Sequence, residues 1–463
     1  MHNLLRCRRG SAAFATVIAL VPLIGVVSLG GEAASWYVTK QHAQNASDSA
    51  AMSGAMTIGI QTAADPALSD SQTYDYRAKQ FAAQNAFCNA GDTSYPGSLC
   101  ATTLPTGISQ TVQIDRGTYD SVSRSWTTAA LGSFVRATVS QQQPTYLAKV
   151  LGLSTVTIPA QAIAQVKSDD TKKLCAVGLG RYPSPTQSAL EFAGNETLSG
   201  NGCGFQSDNT VKYASAPTFN GTGWAVYAST GCVNSGNCDP GVPYNYAMQP
   251  ATNPLAAKLD TKFTTFSGNG NPCTGLPNGN VTNGKNCPIA PNTPTTAYGN
   301  LNVHAGGTAT FQTGGTFFFN GSALIFSGTV TGTNVNIVLL GNSSLSITGG
   351  STILSANFNN TTYPDLNGVL FDDQACRLST NPCPSLKVNI NGGAGVTIAL
   401  GGTMYFPNVD VTLSGNSQNA NTQCTQVIAN SLKFSGGTSY LSTQSCDVGG
   451  NQPPRARVVA LVQ

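Results

Sequence analysis

Cysteines are the residues of this chain whose spacing most directly implies chemistry. The sequence has thirteen of them in 463 residues; Cys7 precedes a long apolar run and the others follow it. An even set beyond a membrane-length segment is typical of disulfides in an oxidising compartment, whereas zinc sites need CxxC clusters with histidine support. We predict Cys424 with Cys446 and Cys88 with Cys100. From spacing alone we also predict Cys175 with Cys203, Cys232 with Cys238, Cys273 with Cys287, and Cys376 with Cys383.

The densest charged group of the C-terminal half is Asp365, Asp372, Asp373 and Arg377. Paired carboxylates serve as acid and base in glycoside hydrolysis. Neighbouring residues of an extended strand point to opposite faces, however, so Asp372 and Asp373 do not share one groove. We therefore predict no catalytic residue, no metal or cofactor site, and no enzymatic activity, and keep carbohydrate chemistry as the alternative.

The net charge and the aromatic residues indicate whether the chain can bind nucleic acid or glycans. The chain is only 9% charged with a net charge of +3, which leaves no basic field for nucleic acid. Scattered aromatic residues form either a glycan-binding strip or, as we favour, parts of the core: Trp224, Tyr227, Phe317, Phe318, Phe319 and Tyr405.

The N-terminal segment determines where the cysteines lie. Arg6, Arg8 and Arg9 precede an uncharged apolar run, 11–31, that is long enough to cross a hydrocarbon core. By the positive-inside rule these arginines keep residues 1–10 in the cytoplasm and the bulk of the chain is exported. Residues 32–65 follow as a helical stalk whose small side chains can pack closely on a neighbour. A cleaved secretory signal is the alternative to an anchor.

The remaining chain predicts a mainly β protein. Residues 66–166 read as an α+β unit, with a helix at 69–87, a short helix at 144–152 and strands at 107–115, 134–140 and 156–166. A charged linker, 167–174, precedes the repeat region 175–450, and 451–463 form a tail. Glycine turns in the repeat region recur about every twenty residues between short alternating runs, so each repeat must stack on the next. We predict a right-handed parallel β-helix, with a β-sandwich as the alternative.

Cys424 and Cys446 test the stacking. They are one repeat apart and would occupy equivalent positions on neighbouring coils. A disulfide between them follows from a β-helix and not from a sandwich.

Three stretches carry a family resemblance. Residues 8–15, Trp36-Tyr37 and 44–51 together resemble the N-terminal module of TadG-like Flp pilus-assembly proteins. The segments 134–140, 146–152 and 156–162 are similar to the part that follows the stalk in TadE/TadG proteins. The phrases 367–372, 402–407 and 424–430 resemble the β-helical ectodomain of some TadG-like chains. The resemblance implies a single-pass protein of the bacterial inner membrane, with its bulk in the periplasm.

Two positions depart from the family pattern. Prepilin-like relatives have a glutamate five residues beyond the processing glycine, but Ala15 stands there after Gly10. Asp120 to Ser123 lacks the spacing of a DxSxS metal motif. We therefore expect neither prepilin-peptidase cleavage nor metal-dependent adhesion.

The resemblance implies a non-enzymatic structural component of Flp/Tad pilus assembly. Its expected partners are the inner membrane and other Tad proteins, which it would contact through its stalk and ectodomain. The alternative is an anchored carbohydrate-active or adhesive β-helix protein that contacts glycans.

Overall fold

The computed structural model of the chain describes residues 8–62, 72–180, 188–234, 238–246, 248–376, 386–393, 396–416, 424–448 and 452–462. They divide into two compact units. The first unit takes the described residues of 1–58, 70–167 and 459–463, and the second takes those of 59–69 and 168–458. The protein is mainly β, with one long apolar helix at its N-terminus.

A single long helix begins the described chain. α1 spans Arg8–Thr62, and its 55 residues at 1.5 Å each give a length of about 80 Å. Its first half carries no charge between Arg9 and Glu32. Its second half is rich in alanine, the strongest helix former. An apolar segment and an alanine-rich segment are thus joined in one helix.

The first unit contains a second helix and an antiparallel sheet. α2 spans Tyr74–Gln84, and the side chain of Thr73 caps it by accepting a hydrogen bond from the N–H of Tyr76. The strands pair in the order β2–β1–β3–β4, each antiparallel to its neighbour. Their bounds are Ser109–Asp120 for β1, Ser125–Thr128 for β2, Phe134–Pro144 for β3 and Thr155–Gly178 for β4.

Small side chains allow α1 to lie close to this sheet. At Gly54, an added Cβ atom would lie 2.9 Å from Cγ1 of Val135 and 3.3 Å from Cβ of Ala78. The residues of α1 buried in this core recur at helical spacing. They are Ala43, Ala46, Ala50, Ala51, Ala55 and Ile58.

The strands that follow β4 are mostly short and are joined by turns, and they lie in the second unit except for residues 459–461 at the end of the last strand, which belong to the first. They are β5 Leu190–Gly200, β6 Gly204–Ser207, β7 Thr210–Tyr213, β8 Thr218–Phe219, β9 Ala225–Ala228, β10 Gly231–Asn234, β11 Tyr244–Asn245, β12 Asn280–Val281, β13 Asn286–Ile289, β14 Leu301–Val303, β15 Thr308–Phe311, β16 Thr316–Asn320, β17 Ala323–Phe326, β18 Thr329–Leu340, β19 Ser344–Ile347, β20 Ser351–Ala356, β21 Val369–Asp373, β22 Lys387–Gly392, β23 Thr397–Gly415, β24 Thr425–Leu441 and β25 Arg455–Leu461. A short helix, α3, spans Ala256–Leu259.

Strands of the second unit pair in parallel with partners about one repeat away in sequence. Leu301 lies opposite Leu324, which in turn lies opposite Leu345. The same parallel register joins β22 to β23 and β23 to β24. Alternate residues of these strands point inward, and their apolar side chains form one continuous core.

The order of the strands in space differs from their order in the chain. β24 pairs in parallel with β5, so that Leu432 lies opposite Leu190. β5 then pairs with β7, and β7 with β10. The first strands of the unit therefore stack on its last long strand, a contact that we call the junction. The rings of Phe192 and Phe434 stack there, with centroids 5.7 Å apart.

A second apolar core covers outward-facing side chains. Phe317 and Phe319 point into the continuous core, whereas Phe318 between them belongs to the second cluster. Leu255 and Leu259 pack in this cluster, and the ring centroid of Phe263 lies 5.1 Å from that of Phe318. The segment 248–266 thus covers a face that would otherwise expose apolar side chains.

Three expectations from the sequence differ from the structure. Residues 167–174 are not a linker but part of β4, because a charged stretch can still extend along a strand whose neighbours supply the pairing. The tail 451–463 contains β25. The helix expected at 144–152 is reduced to one 3₁₀ turn, Ala148–Leu151, because Gly152 takes a left-handed conformation and ends it.

Candidate functional site

The N-terminal half of α1 exposes apolar side chains. Ile18, Leu23, Val26 and Val27 are each more than half exposed. Exposed apolar surface of this extent is unfavourable in water and favourable in lipid. By length and composition, α1 can cross a membrane.

The arginines expected to orient this segment stand at its start. Arg8 and Arg9 are the first residues of α1, and Arg6 lies outside the described residues. The structure therefore locates two of the three at the expected end of the apolar run.

Glu32, the first charged residue after the apolar run, holds a distant loop. One carboxylate oxygen accepts a hydrogen bond from the backbone N–H of Tyr146 at 2.7 Å. The other accepts from the N–H groups of Leu147 and Ala148, at 3.1 and 2.9 Å. We call residues 145–154 the exit loop, because it meets α1 where the apolar run ends. Its base is closed by a hydrogen bond from the N–H of Thr145 to the carbonyl of Ser154.

A cleft of about 390 Å³ opens beside Glu32. Trp36 and Pro105 line it together with Tyr146 and Leu147 of the exit loop. The side chain of Tyr146 is 79% exposed, and Leu147 and Leu153 are also exposed. The rings and aliphatic groups at this end of the unit thus face outward.

The small residues of the stalk are used within the chain. The sequence suggested that they would pack on a neighbour, and in the structure they are buried against α2 and the sheet of the same unit. The stripe that contains Gly54 is therefore closed to a partner helix. The sequence could not distinguish these outcomes, because alanine suits both kinds of close packing.

Five of the six cysteine pairs predicted from the sequence are disulfides in the described part of the chain. Disulfides join Cys88 to Cys100, Cys175 to Cys203, Cys232 to Cys238, Cys273 to Cys287, and Cys424 to Cys446. Cys376 is disulfide-bonded, whereas Cys383 lies outside the described residues. Cys175 lies in β4, which pairs with β24, and Cys424 directly precedes β24. Disulfides therefore flank the place where the two ends of the unit meet.

The acidic cluster of the second unit is dispersed. Asp372 accepts a hydrogen bond from the Gln374 side chain at 2.6 Å, and Asp373 accepts one from the N–H of Ala375 at 2.7 Å. Both carboxylates are buried. Asp365 pairs with Lys262, and Arg377 lies outside the described residues. The described acids therefore do not line a common open groove.

The aromatic residues considered for glycan binding are buried. Phe317, Phe318, Phe319 and Tyr405 are fully enclosed, and Trp224 and Tyr227 are almost so. These six side chains therefore form no exposed strip.

A polar cleft of about 270 Å³ crosses the junction. Glu191 of β5 pairs with Lys433 at 3.2 Å and with Lys212 at 3.4 Å. Asp410 and Lys387, opposite each other on β23 and β22, extend the same row. Charges of alternating sign thus follow successive strands, with lysine in excess.

Asp120 holds a turn. It accepts hydrogen bonds from the N–H of Val122 at 2.8 Å and from the hydroxyl of Ser123 at 2.8 Å. These bonds lower the pKa of its carboxyl group. Within the described ranges, no group of three or more His, Cys, Asp or Glu residues is placed to hold a metal ion.

Sequence reasoning missed the contact between Glu32 and the exit loop. The two lie more than a hundred residues apart, and no local pattern links them. The available signal was a single carboxylate at the end of an apolar run, a place where charge needs a partner.

Comparison with known families matches two overlapping segments. Residues 10–57 match the putative TadE/G-like Flp pilus-assembly family, and residues 53–164 match the putative Tad-like Flp pilus-assembly family. No curated protein and no solved structure matched the chain. The two matches cover nearly all of α1, all of α2 and β1 to β3, and the first part of β4, and they include Glu32, Gly54 and the exit loop. The resemblance predicted from the sequence is confirmed for this part of the chain: residues 10–164 carry two Tad modules of the Flp pilus-assembly type.

Proposed function

We propose that the chain is a membrane-anchored structural component of Flp/Tad pilus assembly, with its bulk in the periplasm. The observation that carries the proposal is the pair of Tad modules across residues 10–164. They coincide with the helix that is apolar enough to cross a membrane and with the sheet packed on its second half.

The orientation rests on charge. Arg6, Arg8 and Arg9 precede the apolar run, and Lys40 is the first basic residue after it. This asymmetry favours a cytoplasmic N-terminus. Periplasmic exposure of the rest suits the disulfides of both units, because that compartment is oxidising.

We propose that residues 175–450 form a right-handed parallel β-helix. Two features support it: parallel pairs at steps of about one repeat, and a continuous inward-facing core. A β-sandwich is disfavoured because its strands would pair antiparallel. The domain boundaries at 10, 31, 65, 166 and 450 belong to the same proposal.

The burial of the acidic groups supports the proposal of a non-enzymatic role. Asp372 and Asp373 are enclosed and bonded within the chain. If either acted as a catalytic acid, the purified protein would release products from pectin, alginate or peptidoglycan, and Asp372→Asn would stop the release. We expect no product from the unaltered protein.

Deletion and complementation test the main proposal. Removing the gene should abolish surface pili, and the full chain should restore them. A version whose residues 1–31 are replaced by a cleavable secretory signal should be exported but should fail to restore piliation. Normal piliation of the deletion strain would contradict the proposed function.

The polar cleft at the junction favours a second candidate function, adhesion to acidic polysaccharide. Its lysines, Lys212, Lys387 and Lys433, would meet carboxylates along the sugar chain. Binding of the full-length protein to polygalacturonate should then weaken at least tenfold in Lys387→Gln/Lys433→Gln and not in the exposed control Lys285→Gln. Equal binding by both variants would contradict adhesion to acidic polysaccharide through this cleft.

A further inference from the structure

The exit loop lies at a calculable height above the bilayer centre. The midpoint of the apolar run 11–31 is Val21. Glu32 follows about eleven residues later, roughly 16 Å along the helix. Half of a hydrocarbon core is about 15 Å, and a tilt of about 20° shortens the rise only slightly. Glu32 therefore stands at the border between hydrocarbon and headgroups.

The hydrogen bonds of Glu32 bring the exit loop to this same height. The backbone nitrogens of Tyr146, Leu147 and Ala148 all lie within hydrogen-bond distance of its carboxylate. The side chains that this loop exposes are those that favour the membrane interface, because tyrosine combines an apolar ring with a polar hydroxyl. Lys149 in the same loop is exposed and can reach lipid phosphates.

We propose that the exit loop is a second membrane contact: Tyr146, Leu147 and Leu153 insert among lipid headgroups beside α1. The inference rests on the proposed anchoring by α1 and adds a lipid-binding surface to it. The occupant is lipid and not another protein, because the patch continues directly from the apolar surface of α1 at the height of the bilayer border. Trp36, which lines the adjacent cleft, would lie at the same interface.

The opposite end of the first unit provides a matched control. β4 runs beside α1, since the Gln44 side chain donates to the carbonyl of Gln161 at 3.2 Å and Gly54 abuts Val135, which lies opposite Ala164. β1 therefore leads away from the membrane, and its twelve residues span about 40 Å. Val122, in the turn at its far end, is 93% exposed. It is apolar and accessible, but it is remote from the exit loop.

Photocrosslinking of the full-length protein tests the inference. p-Benzoylphenylalanine is placed singly at positions 26, 146, 153 and 122, and the protein is reconstituted into vesicles of phosphatidylethanolamine and phosphatidylglycerol. Mass spectrometry after illumination counts lipid adducts. At position 146 the probe replaces one exposed aromatic ring by another, so the fold is retained. We expect adducts at 26, 146 and 153, and at least tenfold fewer at 122.

The remaining outcomes separate this inference from the anchoring. Adducts at position 26 without adducts at 146 and 153 would overturn the loop contact while the anchor stands. An absence of adducts at position 26 would overturn the anchor and the loop contact together. Equal yields at 146 and 122 would also overturn the inference, because the lipid contact would not be specific to the exit loop.

Discussion

Gly54 of α1 faces Val135 of β3 so closely that a Cβ atom at position 54 would lie 2.9 Å from Cγ1 of the valine. The helix and the sheet of the first unit meet at this point. Ala78 of α2 closes the other side, 3.3 Å from the same position. The absence of a Cβ atom at position 54 thus allows these three elements to lie this close together.

Gly54→Leu should separate these elements. Overpacking of a filled core costs about 1–3 kcal/mol, so we expect a loss of stability of about 2 kcal/mol. The free energy of unfolding in detergent micelles, followed by circular dichroism, measures it. Gly30→Leu is the control, because nothing lies within 4 Å of a Cβ atom at that position. Similar stability of the two variants would show that α1 does not pack as described.

Glu196 should make stability depend on pH. Burial raises the pKa of its carboxyl group to about 8, and a hydrogen bond from the Ser439 hydroxyl offsets only part of that rise. Because the folded state holds the proton that the unfolded chain releases above its ordinary pKa, stability should fall as pH rises from about 5 to about 8.

Glu196→Gln should remove this dependence. Glutamine keeps the shape and carries no charge, so the variant should match the parent near pH 5 and exceed it by roughly 2–4 kcal/mol near pH 9. Denaturant midpoints measured at pH 5, 7 and 9 provide the comparison. If the denaturant midpoints of the two proteins changed with pH in the same way, Glu196 would not be held as a neutral acid at the junction.

The disulfide between Cys424 and Cys446 should contribute more to the free energy of unfolding than the disulfide between Cys232 and Cys238. The first closes a separation of 22 residues and the second one of 6. Loop-closure entropy then assigns about 3 kcal/mol to the longer loop and about 2 kcal/mol to the shorter. Thermal unfolding of the two double alanine variants tests the order. Peptide mapping without reduction that found Cys424 free would contradict the stacking of β24 at the junction.

Glu32→Gln should loosen the exit loop. The amide keeps one oxygen acceptor where the carboxylate offers two, and it loses the charge that strengthens the bonds. Hydrogen exchange at the backbone amides of Tyr146, Leu147 and Ala148 should therefore quicken several-fold. Exchange near Val112 should stay the same, because its N–H is bonded to Asn89 instead. Unchanged protection of the loop would mean that Glu32 does not hold it.

Much of the secondary structure could be predicted from the sequence. The strands at 134–140 and 156–166 fall within β3 and β4, because alternating apolar residues mark half-buried strands. The run Phe317 to Phe319 was harder to assign. Both faces of its strand are covered, so alternation gives no guide to which ring points inward.

The junction could not be predicted from repeat spacing. A period of about twenty residues defines neighbours along the chain, but Leu432 and Leu190 are more than two hundred residues apart. Their pairing depends on the shapes of two complete sets of strands. The contact between Glu32 and Tyr146 could not be predicted either, because its donor is a backbone N–H group, and the pattern of side chains does not reveal which N–H group a carboxylate will bind.

The unbroken course of α1 has a mechanical consequence. From Arg8 to Thr62 the helix contains no loop at which bending could be absorbed, and its second half is locked against the sheet. In the proposed anchored state, tilt of the apolar half within the bilayer would therefore be transmitted along the helix to the sheet packed on its second half. A force on the first unit would likewise be transmitted along the helix to the lipid around its apolar half.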